Sequence, residues 1–486
     1  MTKKFIGEMG MKKIMDCVMN TLKLVPNNAI TSAEVNNMWD EFNSPIVGPE
    51  TELSKLTYTV DDTNNIITVS KFTDDTATNA TIYGSYTKGD KTYNTKITSA
   101  KEMFYRKTNL KTITFNPGVD SSECTDMSSM FYGCTKLTSI NGLENLDTSK
   151  VTNMSSMFSG IALSSLDVSS LDTSKVTTMY AMFSGSKLIN INGLENWDTS
   201  KVTTMNSMFN NCQNIYFLDL RSFDVSNVTN MKSMFSDCSK LTFIDTIYWD
   251  TSKVTTMNSM FNRCTNFKFI DLENWDTSNV TNMGMMFLEC TSLKSLNLSS
   301  WNVSNVTNMN DMFRNCNNNK FTSLNLSGWD TSKVTNMSSM FNSCTNITSL
   351  DLTGWDTSNV TNMNSMFRSC LALTTITGLN TFKTTSVTTM ASMFEDCYVL
   401  TSLTLTSFVT TTVTNMNSMF DNCKALTTLN LKTFSTSNVT DMSYMFANCA
   451  KLTKIQVSKT KWVIKTGCNT TNMFNGCGCS AVTKVA

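Results

Sequence analysis

"VTTMNSMFNRCTNFKFIDLENWDTS", residues 254–278, carries two unlike signals. Met260-Phe261-x-x-Cys264 recurs along the whole chain, whereas Phe269 stands where most other copies carry Ser or Thr. The Phe of Met-Phe falls at 104, 131, 158, 183, 209, 235, 261, 287, 313, 341, 367, 394, 420, 446 and 474, with successive gaps of 25 to 28 residues. A period near 26, held over so long a stretch, predicts a solenoid in which each coil buries its apolar face against its neighbours.

The repeat reads W-D-T-S-[KN]-V-T-N-M-x-S-M-F-x-x-C-x-x-L-x-S-L-x-L. In L-x-x-L-x-L (Ile347, Leu350, Leu352) the last two apolar residues share one side of a short strand, so stacked coils predict a parallel sheet. A second extended piece, Val360 to Met363, turns its ends inward. N-S-M-F-x-x-C suits a tight helical turn whose Met, Phe and Cys fill the coil, and D-T-S supplies a turn in which Asp bonds nearby amides.

Composition narrows the function. Lys+Arg and Asp+Glu are equal at 39 each, which argues against nucleic acid as a main partner, since phosphate neutralisation needs clustered cationic excess. The chain has no His, the commonest general base and zinc ligand. Charged residues make up 16% of a chain rich in Thr, Ser and Asn, so hydroxyls and amides carry its solubility. No stretch approaches the ~18 apolar residues of a membrane span. The segment MTKKFIGEMGMKKIMDCVMNTLKLV reads as no secretory signal, and Cys17 lacks a lipoprotein-type setting. Export without a cleaved signal is therefore expected, for instance by release inside a virus particle.

These motifs resemble bacterial surface leucine-rich repeats of the BspA type, the 26-residue-repeat branch. The resemblance covers roughly residues 100–480 and rests on the constant spacing between Met-Phe-x-x-Cys and L-x-x-L-x-L. Ile161 and Ser186 depart from it by replacing Cys, and NCNNNKF (315–321) carries an insertion. The resemblance implies an extended leucine-rich-repeat-like solenoid that binds proteins or glycans, with no catalytic residues and no cofactor.

Four segments follow. Residues 1–50 read as a helical attachment segment, with Thr31 and Glu34 spaced as a capping box, through which other virion proteins would be engaged. Residues 51–99 alternate apolar and polar and read as a small β-rich domain or cap. Residues 100–460 are the solenoid, and 461–486 an altered C-terminal capping coil.

Sixteen cysteines invite a disulfide or metal reading. Twelve follow the Met-Phe phenylalanine by three residues: Cys134, Cys212, Cys238, Cys264, Cys290, Cys316, Cys344, Cys370, Cys397, Cys423, Cys449 and Cys477. Stacked at the inter-strand spacing of about 5 Å, they predict a ladder of small buried residues. Ile161 and Ser186 support packing, since a paired system would tolerate such losses poorly. At the C-terminal end Cys468, Cys477 and Cys479 leave their oxidation state open; zinc there would need a fourth Cys or carboxylate ligand, and no metal is expected. The 35 Met residues, at V-x-x-M and S-M-F, read as core filling. The D-T-S aspartates read as turn caps, because one carboxylate per turn coordinates calcium poorly.

The sheet face holds the functional candidates. The second and third x of L-x-x-L-x-L point outward. The third x is a stripe of Asp and Asn from Asn141 and Asp167 through Asp351, continuing as Thr377, Thr404 and Asn430. The second x is mostly Ser or Thr but becomes Phe217, Phe243 and Phe269 in three consecutive coils, flanked by Asp219, Asp245 and Asp271. Exposed contiguous aromatics mark contact surfaces. Rings beside carboxylates suit a sugar or a protein anchor. An assembly contact with a cap, loop or sister subunit is an equal reading, so a homo-oligomer stays open. The sequence thus points to a non-enzymatic adhesion or structural protein. The first expectation is a phage virion component, such as a tail fibre, tail-tip or decoration protein, that recognises a surface glycan or protein. The alternative is a cell-surface or effector repeat protein.

Overall fold

A computed structural model describes residues 46–486. Residues 1–45, with Cys17, Thr31 and Glu34, lie outside the described residues, and the helical attachment segment expected for 1–50 falls largely there.

The described part opens on a small mixed sheet. Its strands are β1 (Val47–Gly48), β2 (Leu56–Asp61), β3 (Ile66–Phe72), β5 (Ser85–Lys88) and β6 (Lys91–Lys96), in the order β1-β5-β6-β3-β2, with the short helix α1 (Glu50–Leu53) after β1. Alternation along β3 sends Ile67 and Val69 to the same buried side. Phe72, at its end, meets the first solenoid phenylalanine, Phe104, at a centroid distance of 5.8 Å. Both solenoid ladders begin in this region. Strand β4 (Asn79–Ile82) pairs in parallel with β7 (Thr112–Phe115), which pairs in turn with β8 (Ser139–Asn141). Lys96 bridges Asp120 in parallel, ahead of the V-T-N-M ladder that starts at Asp126.

From there the chain is a β-solenoid. The middle residue of each V-T-N-M piece bridges its counterpart one coil on, as Asn230, Thr256 and Asn282 do. Thr255 donates its N–H to the Thr229 carbonyl at 2.8 Å and accepts from Thr281 at 2.8 Å. The fifteen phenylalanines form one unbroken interior stack with centroid separations of 5.4–5.8 Å. Met257, Met260, Phe261 and Cys264 have no solvent-accessible surface, so each coil buries the same wedge. At ~25 cal/mol per Å² of apolar surface removed from water, this repeated burial drives the stacking.

The expected helical turn over S-M-F-x-x-C is a different structure. Met260 and Cys264 donate N–H to the carbonyls three residues earlier (3.1 Å each), while Ser259, Phe261 and Arg263 donate to Gly284, Met286 and Leu288 of the next coil at 2.9, 2.9 and 2.7 Å. Alternate amides thus point along the solenoid axis, which a continuous helix cannot do because all its amides run along its own axis. Ser259 and Arg263 adopt left-handed φ of 57° and 58° to permit it. Thr251, in the D-T-S turn, donates its hydroxyl to the Asp276 carbonyl of the next coil at 2.9 Å, and the Asp250 carboxylate accepts the Ser252 N–H at 3.0 Å. The aspartates act as turn caps, as read from sequence.

The leucine-edge sheet is segmented. Strand β9 (Ser165–Asp167) pairs with β10 (Asn190–Asn192), β11 (Phe217–Asp219) with β12 (Phe243–Asp245), β13 (Ser349–Asp351) with β14 (Thr375–Thr377), and β15 (Thr428–Leu431) with β16 (Lys454–Ser458) and β17 (Thr483–Val485). No pairing joins β8 to β9 or β10 to β11. The breaks flank the two coils that lack the ladder Cys. Phe158 is followed by Leu163 after five residues, whereas Phe131 is followed by Leu137 after six. The shortening removes the register that would seat β9 on β8, and a cleft of about 510 Å³ opens between Ser139, Leu143 and Glu144 on one side and Leu163, Ser165 and Asp167 on the other. Where a coil turns sharply after its strand the residue is glycine: Gly378 has φ +88°, and an added Cβ would lie 2.5 Å from the Leu352 carbonyl carbon.

Candidate functional site

The cysteine ladder is the most regular array of reactive groups in the solenoid. Cys212, Cys238, Cys264, Cys290, Cys316, Cys344, Cys370, Cys397, Cys423 and Cys449 are all buried free thiols. Each donates its S–H to the carbonyl of the Met-Phe phenylalanine one coil earlier, as Cys264 does to Phe235 at 3.1 Å and Cys449 to Phe420 at 2.9 Å. The Phe235 oxygen also accepts the Cys238 N–H at 3.2 Å, so the ladder adds an inter-coil bond to an already satisfied acceptor. Burial pushes the thiols of Cys212, Cys316 and Cys370 up to about 12 and holds Cys264 and Cys290 well above the ordinary value. Thiols so protonated are neither nucleophiles nor metal ligands. Ile161 and Ser186 take the ladder position in the two short coils; both are buried, and the Ser186 hydroxyl lies 3.5 Å from the Cys212 sulfur. At the end of the chain, the Cys477 and Cys479 sulfurs are 3.6 Å apart and partly exposed.

The outer face of coils 215–275 is the other concentration of unusual residues. Phe217, Phe243 and Phe269 are 53%, 43% and 53% exposed. The expected three-ring stack is a two-ring stack: Phe217 and Phe243 lie 6.0 Å apart and 3° from parallel. Their strands β11 and β12 are paired in register, Phe217 opposite Phe243 and Asp219 opposite Asp245. Phe269 lies outside the paired strands, and the Lys294 ammonium sits 5.1 Å from its ring centroid. Arg221 gathers the carboxylates beside the rings. Its guanidinium donates to Asp219 at 3.0 and 2.7 Å and lies 3.7 Å from Asp245. That hydrogen bonding holds the Asp219 carboxyl below its usual range. Asp271 accepts the Glu273 N–H at 3.2 Å.

Three further exposed residues join this surface: Tyr216, Ile247 and Tyr248, the last at 74%. Sequence reasoning passed over them because they adjoin buried positions: Tyr216 follows Ile215, and Ile247 and Tyr248 lie between Thr246 and Trp249. Aligned columns carry the signal: Tyr248 occupies the place held by Asn274, Ser300, Gly328 and Gly354 in the following coils. Among the described residues, six of the fourteen exposed large hydrophobics fall between 216 and 269.

A 26-residue coil, an L-x-x-L-x-L edge strand and stacked parallel strands define a leucine-rich-repeat-like solenoid. Six overlapping matches, 71–162, 98–215, 160–243, 240–322, 316–404 and 372–483, relate it to the family described as Mycoplasma protein of unknown function, DUF285. The chain belongs to that family. No curated protein matches it. Solved structures with a similar course include a leucine-rich repeat protein of Bacteroides ovatus (14% identity, 83% of this chain and 94% of that one, TM-score 0.39). A leucine-rich repeat protein of Eubacterium ventriosum gives 15% identity over 88% of this chain and 94% of that one, with TM-score 0.31. A leucine rich cell surface protein of Faecalibacterium prausnitzii gives 15% identity, 88% and 93% coverage, and TM-score 0.29. No helix among the described residues is long and apolar enough to cross a membrane.

Proposed function

We propose that this protein is a non-enzymatic adhesion or structural repeat protein that works by contact at a cell surface, recognising a protein or glycan through the face built on Phe217, Phe243 and Phe269. The observation that carries the reading is the clustering of large exposed apolar side chains in three consecutive coils of an otherwise hydroxyl- and amide-covered solenoid. The most repeated potential nucleophile, the thiol ladder, is spent on packing, which supports a role without catalysis. We put forward a phage particle as the first setting, with this chain as a tail-fibre, tail-tip or decoration protein; the low-charge, hydroxyl-rich surface supports it. Display on a cell is the second setting, favoured by membership of a family described from mycoplasmas.

Replacing Phe217, Phe243 and Phe269 together by Ser tests the face. Cell binding or particle assembly is expected to fall while the fold persists; if both stay intact, the face has no role. Mass spectrometry of purified particles against cell-envelope fractions decides between the two settings.

A further inference from the structure

We infer that the aromatic face docks a second copy of this chain, with the two solenoid axes parallel. The inference rests on reading this face as a contact surface, and it names one occupant.

The rings project into a column whose other members are smaller: Ser165 and Asn190 before them, Ser295 and Ser323 after them. Phe217 and Phe243, 6.0 Å apart and nearly parallel, are too close to lie flat side by side, so they turn their faces toward each other and their edges outward. The faces of Phe269 and Tyr216 are occupied by the ammonium groups of Lys294 and Lys240 at 5.1 and 5.5 Å. A sugar stacks on an open ring face; outward edges suit other aromatic side chains, which pack edge-to-face or offset.

Charge selects the partner and its orientation. Along each strand the order is first x, ring position, third x; the first x is Tyr216 and Thr242 beside Phe217 and Phe243, then Lys268 and Lys294, so at the Phe269 end lysines lie on one side of the column and Asp271 and Glu273 on the other. Arg221 already pairs with Asp219 and Asp245. Lys268, Lys294, Asp271 and Glu273 take part in no ion pair among the described residues. The face is therefore self-complementary in one arrangement. A two-fold axis parallel to the solenoid axis sets ring row on ring row and places Lys268 and Lys294 of each copy over Asp271 and Glu273 of the other. A two-fold axis along the strands would set lysine on lysine. Such an isologous contact is the commonest form of homodimer.

The area sets the strength. Six half-exposed large side chains offer on the order of 600 Å² per copy, and two copies reach the lower end of specific interfaces, so association is reversible and weak.

Sedimentation velocity of the intact chain over rising concentration is the test. The expected result is a concentration-dependent monomer–dimer equilibrium, weakened on the order of tenfold or more in the Phe217→Ser, Phe243→Ser, Phe269→Ser variant. Charge reversal then tests the geometry. Lys268→Glu with Lys294→Glu, and separately Asp271→Lys with Glu273→Lys, should each stay monomeric, and an equimolar mixture of the two should dimerise. All these residues are at the surface, and circular dichroism confirms that the variants fold. A wild type that is monomeric at every concentration means another molecule covers the face and overturns the inference; so does a mixture that fails to associate. Loss of cell binding by the serine variant is scored independently, so self-docking and the proposed function fail separately.

Discussion

Phenylalanine appears in this molecule in two columns with opposite fates. The inner column is buried from Phe104 to Phe446, half-buried at the terminal Phe474, and stacks without interruption. The outer column holds three members, is about half exposed, and stacks only once, between Phe217 and Phe243. Both benefit from the same inter-coil spacing, so spacing does not explain the difference. The inner rings recur because no coil can close without them. The outer rings occur only three times and close nothing. In a solenoid, recurrence marks architecture, and a confined exception on an exposed column marks a site.

That contrast can be attacked at both columns. The largest effect is expected from alkali. Burial raises the thiols of Cys212, Cys238, Cys264, Cys290, Cys316, Cys344, Cys370 and Cys397 above the ordinary value of 9.0, with Cys212 and Cys370 at about 12. A group whose folded pKa is raised contributes stability that is intact below its unfolded pKa and is lost as pH rises toward the folded value. Stability should therefore hold below about pH 9 and fall through pH 9–12, by about 1.4 kcal/mol per buried thiol one unit above the unfolded pKa. Urea denaturation across that range measures it; a flat profile would remove the ladder from the interior.

Next comes Phe261→Ala, which opens a gap between Phe235 and Phe287 and should cost about 3–5 kcal/mol, read by chemical denaturation. Cys264→Ala removes the S–H bond to Phe235 and a small buried volume, and should cost about 1–2 kcal/mol in the same assay. The smallest change is expected from Phe217→Ser, Phe243→Ser and Phe269→Ser together: within about 0.5 kcal/mol per site, typical of surface positions, despite the loss of three aromatics. If the outer triple variant destabilises the chain as much as Phe261→Ala does, the two columns are equivalent and the functional reading of the outer one collapses.

Much of this contrast was legible in the residues. The 26-residue period and the Met-Phe-x-x-Cys spacing predict the solenoid and its buried wedge, because a coil stacked on copies of itself must fill the same volume each time. The alternation in L-x-x-L-x-L then sends Phe217, Phe243 and Phe269 outward, where the structure places them. Residue order alone also put Asp250 in a turn where it caps an amide.

Other features depend on groups brought together only by folding. The S-M-F segment reads as a helical turn because local spacing cannot reveal that half of its amides are taken by the next coil. The third ring is missing from the stack where its coil lies outside the paired strands β11 and β12, and Lys294 of the next coil sits over it. The cleft beside Ser165 follows from one missing residue, which displaces a strand edge without altering the apolar pattern. Pattern along the chain determined which side each residue takes, since that follows from strand alternation and the need to bury. Tertiary structure decided which outward residues touch, because contacts between coils depend on register, side-chain reach and backbone hydrogen bonds that no single repeat contains.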